Sequence, residues 1–355
     1  MGYYRENFDF EYEFERSTDI LGFGEIGGVG QLGYKVTQFS KYDWDYINDD
    51  LVAYPIITGD ESDYKSYSDI LGGALLSGLC NLARTIDSPK TKKEPFELII
   101  IWCQNCIHPY FVDDVNILVR EPDFNPAEMA MMLKKEATFS IAKFMKDLGS
   151  LYFAVRFYAA IDAACMGQED LILKICKGGR YFEDVPFFDK YRYIPKKLPD
   201  VDYSSAGGDI LQEMLIDAAA AGQPLEDEIV RTPFDDYDKL RAKLVDLIPS
   251  FEMRPKLHSK SNRYIFSADV HSIFDIAWYT FARMVVDDAP PEKKTGVAKE
   301  YAGVVAVCLN CGRYFYRKRG NQMYCRRKEC QSARKAKNQK DKRARERLKK
   351  ANESE

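Results

Sequence analysis

Histidine is scarce in this chain: only His108, His258 and His271 occur in 355 residues. Paired metalloprotease histidines are absent, as are a nucleophile elbow and a phosphate-loop lysine motif. Neither His258 nor His271 has a carboxylate or nucleophile at an informative spacing, so both read as structural. Long apolar runs are missing too; no stretch reaches the ~18 uninterrupted apolar residues of a membrane span. The opening residues, MGYYRENFDFEYEFER, carry acids where a secretory leader needs a basic and then an apolar run. The nine cysteines, an odd number, make no disulfide framework in a chain this long. The expectation is a cytoplasmic protein with no membrane partner. Whether it is an enzyme stays open, with a non-enzyme preferred.

The most informative stretch lies near the C-terminus. Cys308 and Cys311 form C-x2-C, thirteen residues follow, and Cys325 and Cys330 form C-x4-C. Four thiolates at such spacing can close a tetrahedron around one ion, and a structural four-sulfur site favours zinc. Gly312 after the second cysteine fits a tight knuckle whose amides point at sulfur. Cys330 is expected to open the last helix, where the positive end of the helix dipole favours a thiolate ligand. One or two of Tyr314, Phe315 and Tyr316 should pack against the metal. A unit this small buries little surface, so the ion is expected to be a condition of its folding.

Charge is divided unevenly. The whole chain carries −4, but residues 301–355 hold 17 Lys/Arg against 5 Asp/Glu, leaving −16 for residues 1–300. An acidic body with a basic appendage points to nucleic acid as partner. The candidate contacts are Arg313, Arg317, Lys318, Arg319, Arg326, Arg327, Lys328, Arg334, Lys335 and Lys337. A cationic helix over residues 331–350 suits phosphate contacts that release counterions. DNA ranks ahead of RNA, although basic fingers do not separate the two. The alternative is a solvated tail beside a zinc knuckle that docks a protein. The opposite charges also suggest that the body holds the tail against itself until a partner frees it.

Hydrophobic content of 46% and aromatic content of 13% suffice for a core, and the length allows more than one domain. The pattern predicts an α+β chain: a mostly helical body with an N-terminal β element and a C-terminal treble-clef-like zinc finger. The divisions are an acidic body over 1–250, a strand–helix segment over 251–300, the finger over 301–335 and a basic helical tail over 336–355. Phe8, Phe10, Tyr12 and Phe14 alternate as in a half-buried strand. Gly22 to Gly33 matches G-x-G-x-x-G twice, and a glycine-rich turn in a β meander is preferred to a phosphate cradle. Residues 41–68 read as loop with short helix, and 69–84 as helix. The run PFELIIIWCQNCIHPYFV reads as a buried strand because its apolar residues are continuous. It ends in Cys103 and Cys106, with His108 close by. Three readings stand for this group: buried structural cysteines, a second metal site, or a thioredoxin-like redox pair. From Asn125 a helical pattern runs to Cys165, with Gly149 as a break or kink. Helices are also expected over 209–221 and 235–247, then a strand pair over 254–266 and a helix ending near Val286.

The segment from about 254 to 345 resembles CGNR-type zinc-finger proteins, bacterial presumed transcription regulators. The features that carry it are the helix from Ile273 to Val286, Cys308 with Cys311, Tyr324-Cys325, and Cys330 followed by QSARKAKNQKDKRARER. Similar fingers end proteins of phages and mobile elements. The resemblance covers about a quarter of the chain and implies a zinc-dependent DNA-binding regulator whose body senses a signal or recruits partners. The resemblance does not extend to the first 250 residues, which are not placed in a family.

Overall fold

A computed structural model describes residues 36–58, 63–67, 72–111, 126–165, 169–185, 242–258, 263–287, 305–317 and 322–352. The expected strand at 8–14, the glycine-rich segment at 22–33 and the helix at 209–221 lie outside the described residues, as does most of the helix at 235–247. Four small antiparallel sheets surround a helical core, an α+β arrangement.

The first described element is strand β1, Val36–Phe39, which pairs with β4, Tyr64–Tyr67. Between them, β2, Tyr42–Ile47, and β3, Asp50–Pro55, make a hairpin whose register places Ile47 opposite Asp50. This corrects the loop-with-helix reading of residues 41–68. The missed signal is the two-residue turn Asn48-Asp49, with φ of 51° and 63°. Such a turn needs left-handed backbone at both positions, and Asn and Asp tolerate it better than other side chains.

The core is built by α1, Gly72–Ile86; α4, Ile141–Cys165; and α6, Ile273–Asp287, which pack on one another. In α1, Leu75, Leu76, Leu79, Leu82, Ala83 and Ile86 recur at helical spacing and are buried. Helix α2, Pro95–Asn105, occupies the run expected to be a strand. Its start is fixed locally: Pro95 takes the first helical position, and Glu94 and Glu97 form a reciprocal capping box. A continuous apolar run does not by itself separate a buried strand from a buried helix, and here the cap decides.

The long helical pattern after residue 125 is two helices. Helix α3, Pro126–Glu136, ends before the short strand β5, Phe139–Ser140, which pairs with β3, and α4 begins at once. Gly149 does not break α4. A Cβ there would lie 3.1 Å from Cε1 of Phe182, so the glycine makes room for that ring. From Leu151 to Ala163 nearly every side of α4 is buried or half-buried, as suits a central helix. Helix α5, Glu169–Cys176, folds back on it.

Strands β6, Met253–His258, and β7, Arg263–Ala268, form the expected pair, with His258 opposite Arg263. The finger contributes β8, Val305–Val307, and β9, Tyr314–Tyr316, and the chain runs on into α7, Lys328–Asn352. No helix among the described residues is long and apolar enough to cross a membrane.

The β2–β3 turn makes a prediction. Asp49→Gly, which gives the Asn-Gly pair favoured at such turns, should raise stability by up to about 1 kcal/mol. Asp49→Val should lower it by about 1–2 kcal/mol, because a branched side chain is strained in left-handed backbone. Urea unfolding midpoints of both variants against the parent check this.

Candidate metal centre

Strand β8 is buried throughout and delivers Cys308 to the end of the β8–β9 hairpin. There the chain reverses tightly. The Cys308 amide donates to the Arg313 carbonyl and the Gly312 amide to the Cys308 carbonyl, each at 2.8 Å. Gly312 has φ of +68°, left-handed backbone that a residue without a side chain adopts freely. Cys311 lies within this knuckle. Cys325 comes from the following loop, and Cys330 from the first turn of α7.

The four sulfurs lie within 4.8 Å of one another, and the group could hold a metal ion. Sγ of Cys311 and Sγ of Cys325 are 3.7 Å apart. The edge of a tetrahedron with metal–sulfur bonds of 2.3 Å is about 3.8 Å, so this separation fits coordination, and it is far beyond a disulfide bond. Two donors point at sulfur: the Cys325 amide at Sγ of Cys308, 3.3 Å, and Nδ2 of Asn310 at Sγ of Cys330, 3.5 Å. The thiols also share protons. Hydrogen bonds from Cys311 and Cys325 hold Cys308 far below the usual thiol range. The contact with Cys308 raises Cys311 to about 11 and pushes Cys325 up. A metal would replace these shared protons, which is why such sites bind more weakly as pH falls. Phe315 and Tyr324 pack against the cluster. Tyr314 does not; it is buried in the main core, edge-on to Tyr152 of α4.

That difference matters, because the finger is no free appendage. Nδ2 of Asn81 donates to the Tyr314 carbonyl at 2.8 Å, and Oδ1 of Asn81 accepts the Tyr314 amide at 3.0 Å. The side chain thus pairs with β9 as a neighbouring strand would. One turn on in α1, Nη2 of Arg84 donates to the Cys311 carbonyl at 2.9 Å. Arg317, named above as a nucleic-acid contact, is instead buried and ion-paired to Asp162 of α4 at 3.3 Å. This corrects that assignment: its charge is neutralised inside the protein. Sequence reasoning missed Asn81, Arg84 and Asp162. The one available signal was Asn81 itself, a polar residue in an otherwise apolar stretch of α1, which once buried needs partners for its amide.

The other candidate contacts separate by position. Arg326, Lys328, Arg334, Lys335 and Lys337 are exposed, while Arg313 and Arg327 are half-buried in the knuckle and the approach to α7. Lys318 and Arg319 lie outside the described residues. Among the described residues, helix α7 packs extensively along no other element.

Cys103, Cys106 and His108 sit elsewhere. Both thiols are fully buried at the C-terminal end of α2, and burial pushes both well above the usual thiol range. A redox pair needs its first thiol exposed, at a helix N-terminus and acidified, so the structure opposes that reading on every count. Nor do the three form a metal-capable group among the described residues. His108 is packed between Phe39 and Phe139, its Nδ1 is 2.9 Å from the Tyr42 hydroxyl, and burial lowers its pKa to about 3. A separate cleft of about 620 Å³ is lined by Tyr110, Lys143, Asp147, His271, Asp275 and Trp278, among others. Its polar groups largely engage one another: Asp147 accepts the Tyr110 hydroxyl, and Asp275 accepts the His271 amide at the start of α6.

Compared with known proteins, the chain significantly matches no family model, no curated protein and no solved structure. The fold and site therefore define its class by themselves: an α+β protein with a metal-capable four-cysteine cluster held against its core.

The link between finger and core can be tested from both sides. Asn81→Ala leaves a buried amide and carbonyl of Tyr314 without partners and should cost about 2–4 kcal/mol, read from urea unfolding. Stripping the metal with a chelator should lower the unfolding midpoint of α1 and α4 along with the finger, in one transition. His108 makes a further prediction. Unfolded histidine takes a proton near pH 6.5, whereas the buried ring stays neutral down to about 3. The unfolded state therefore binds more protons between those values, and stability falls as pH drops through that window. His108→Gln should make the decline between about pH 6 and 4 shallower, seen in unfolding midpoints across pH.

Proposed function

We propose that the chain is a zinc-finger nucleic-acid-binding protein, with DNA ahead of RNA, acting in the cytoplasm as a regulator whose acidic body senses a signal or recruits a partner. The observation that carries this is α7: a cationic helix, exposed along its described length, whose first turn is pinned to the four-sulfur cluster by Cys330. Zinc is the ion this reading assigns, because a closed set of four thiolates within 4.8 Å of one another suits it better than harder cations. The knuckle on a hairpin, followed by a helix carrying the fourth ligand, supports a treble-clef-like description. The resemblance to CGNR-type regulators points the same way.

The competing idea, a finger that docks another protein, meets an obstacle. The β9 side of the finger already docks a protein surface, that of α1 and α4 in the same chain. Among the described residues near the cluster, Asn310, Arg326, Lys328 and Glu329 are exposed, and they lead into the cationic helix, a surface suited on balance to phosphate.

The test is fluorescence anisotropy of labelled duplex DNA and RNA with zinc-loaded protein across salt. Binding should weaken steeply with salt and disappear on deletion of residues 331–355. The Lys335→Gln, Lys337→Gln pair should lower the log–log salt slope by about 0.9 for each phosphate of B-form DNA that is no longer neutralised. Absence of binding to either nucleic acid at low salt would overturn the proposal.

A further inference from the structure

The distribution of charge on α7 says more than its amount. Between Lys328 and Arg347 nine Lys and Arg side chains are exposed. At 3.6 residues per turn they leave no sector of the helix wider than about 60° without a cation. A helix that lies on a flat anionic surface needs cations on one face only and gains nothing from those on the far side. Cations on every side are useful where anions stand on both flanks. Only two carboxylates lie in this stretch after the first turn, Asp341 and Glu346, and Glu346 faces Lys342 at 3.9 Å.

We propose, building on the nucleic-acid reading above, that α7 seats lengthwise in the major groove of B-form DNA, entering from the metal centre, with phosphates of both strands on its two sides. The dimensions agree. A helix with its side chains is about 10–12 Å across, and the B-form major groove is about 12 Å wide and 8.5 Å deep. The A-form major groove of duplex RNA is too narrow and deep to admit it. The helix is 25 residues long, about 37 Å, so it can enter the groove while its anchored first turn stays outside. Anchorage fixes the approach: Cys330 ties the helix start to a centre that is itself bolted to α1 and α4. Midway along α7, Asn338 and Gln339 are exposed and uncharged, and amide side chains of this kind pair with adenine edges in that groove. These two are the candidates for reading bases, while the surrounding cations hold phosphate.

The experiment uses the full chain with zinc bound and a labelled duplex of about 30 base pairs. Four competitions are run at one salt concentration: netropsin, which fills the minor groove; methyl green, which occupies the major groove; the same duplex with bulky glucosyl groups on its major-groove cytosines; and an RNA duplex of matching sequence. Seating in the major groove requires that methyl green displace the protein, that glucosylation weaken binding at least about tenfold, that netropsin change it less than about twofold, and that the RNA duplex bind at least about tenfold more weakly. Asn338→Ala with Gln339→Ala should leave the salt slope unchanged and reduce discrimination between duplexes of different sequence. Displacement by netropsin alone, or equal binding to duplex RNA, would sink the groove assignment and leave nucleic-acid binding standing. Loss of all binding would sink both.

Discussion

Four sulfurs held within 4.8 Å cannot all ionise unless a cation lies among them, and much of this molecule depends on how that constraint is met. The ligands come from a knuckle, a loop and a helix, three pieces of chain with little apolar surface to hold them together. Coordination would fix all three at once. The knuckle is also fixed from outside, because Asn81 closes both hydrogen bonds of Tyr314 and Arg84 holds the carbonyl of Cys311. These few residues therefore tie the four-cysteine cluster to the core. A disturbance on either side reaches the other through β9, whose first residue is buried against α4.

This integration changes what the basic residues near the finger mean. In sequence, Arg317 looks no different from Arg326 or Lys328, each a cation in the stretch that carries the four cysteines. Its partner, Asp162, is 155 residues away, and no local pattern announces the pair. The same holds for Asn81 and Tyr314. The four-cysteine cluster was legible because its members are set by short-range spacing and by one glycine that the turn requires. The surface that holds the centre was not legible, because it is made by contacts between distant segments.

The body shows the same division between local and non-local information. The β6–β7 pair and the start of α7 follow from local pattern and appear where that pattern puts them. Helix α2 was misread because a continuous apolar run suits two structures, and the deciding feature was the capping box just before it. The β2–β3 hairpin was misread because its strand β2 is mostly exposed and rich in aspartate, leaving only the turn to give it away. The Cys103 and Cys106 pair carried a motif whose chemistry depends on which end of the helix it occupies. The helix runs so that the pair sits at the wrong end. Spacing alone does not contain that direction.

The charge pattern of α7 raises a physical question of its own. A helix with cations on every side repels itself and has no apolar stripe to pack. Among the described residues, the i,i+4 pair of Lys342 with Glu346 offsets part of that repulsion. Its helicity rests on intrinsic propensity and on the fixed first turn supplied by Cys330, which removes the cost of nucleation. Its helicity should therefore be greatest at the anchored first turn and weaken toward its far end. A polyanion on both flanks would reverse that balance, neutralising the repulsion along the whole length while the acidic body stays clear of the phosphates. On the proposed function the body's negative charge would have a role as well: it would keep the remainder of the protein off the nucleic acid and confine contact to the helix and the finger.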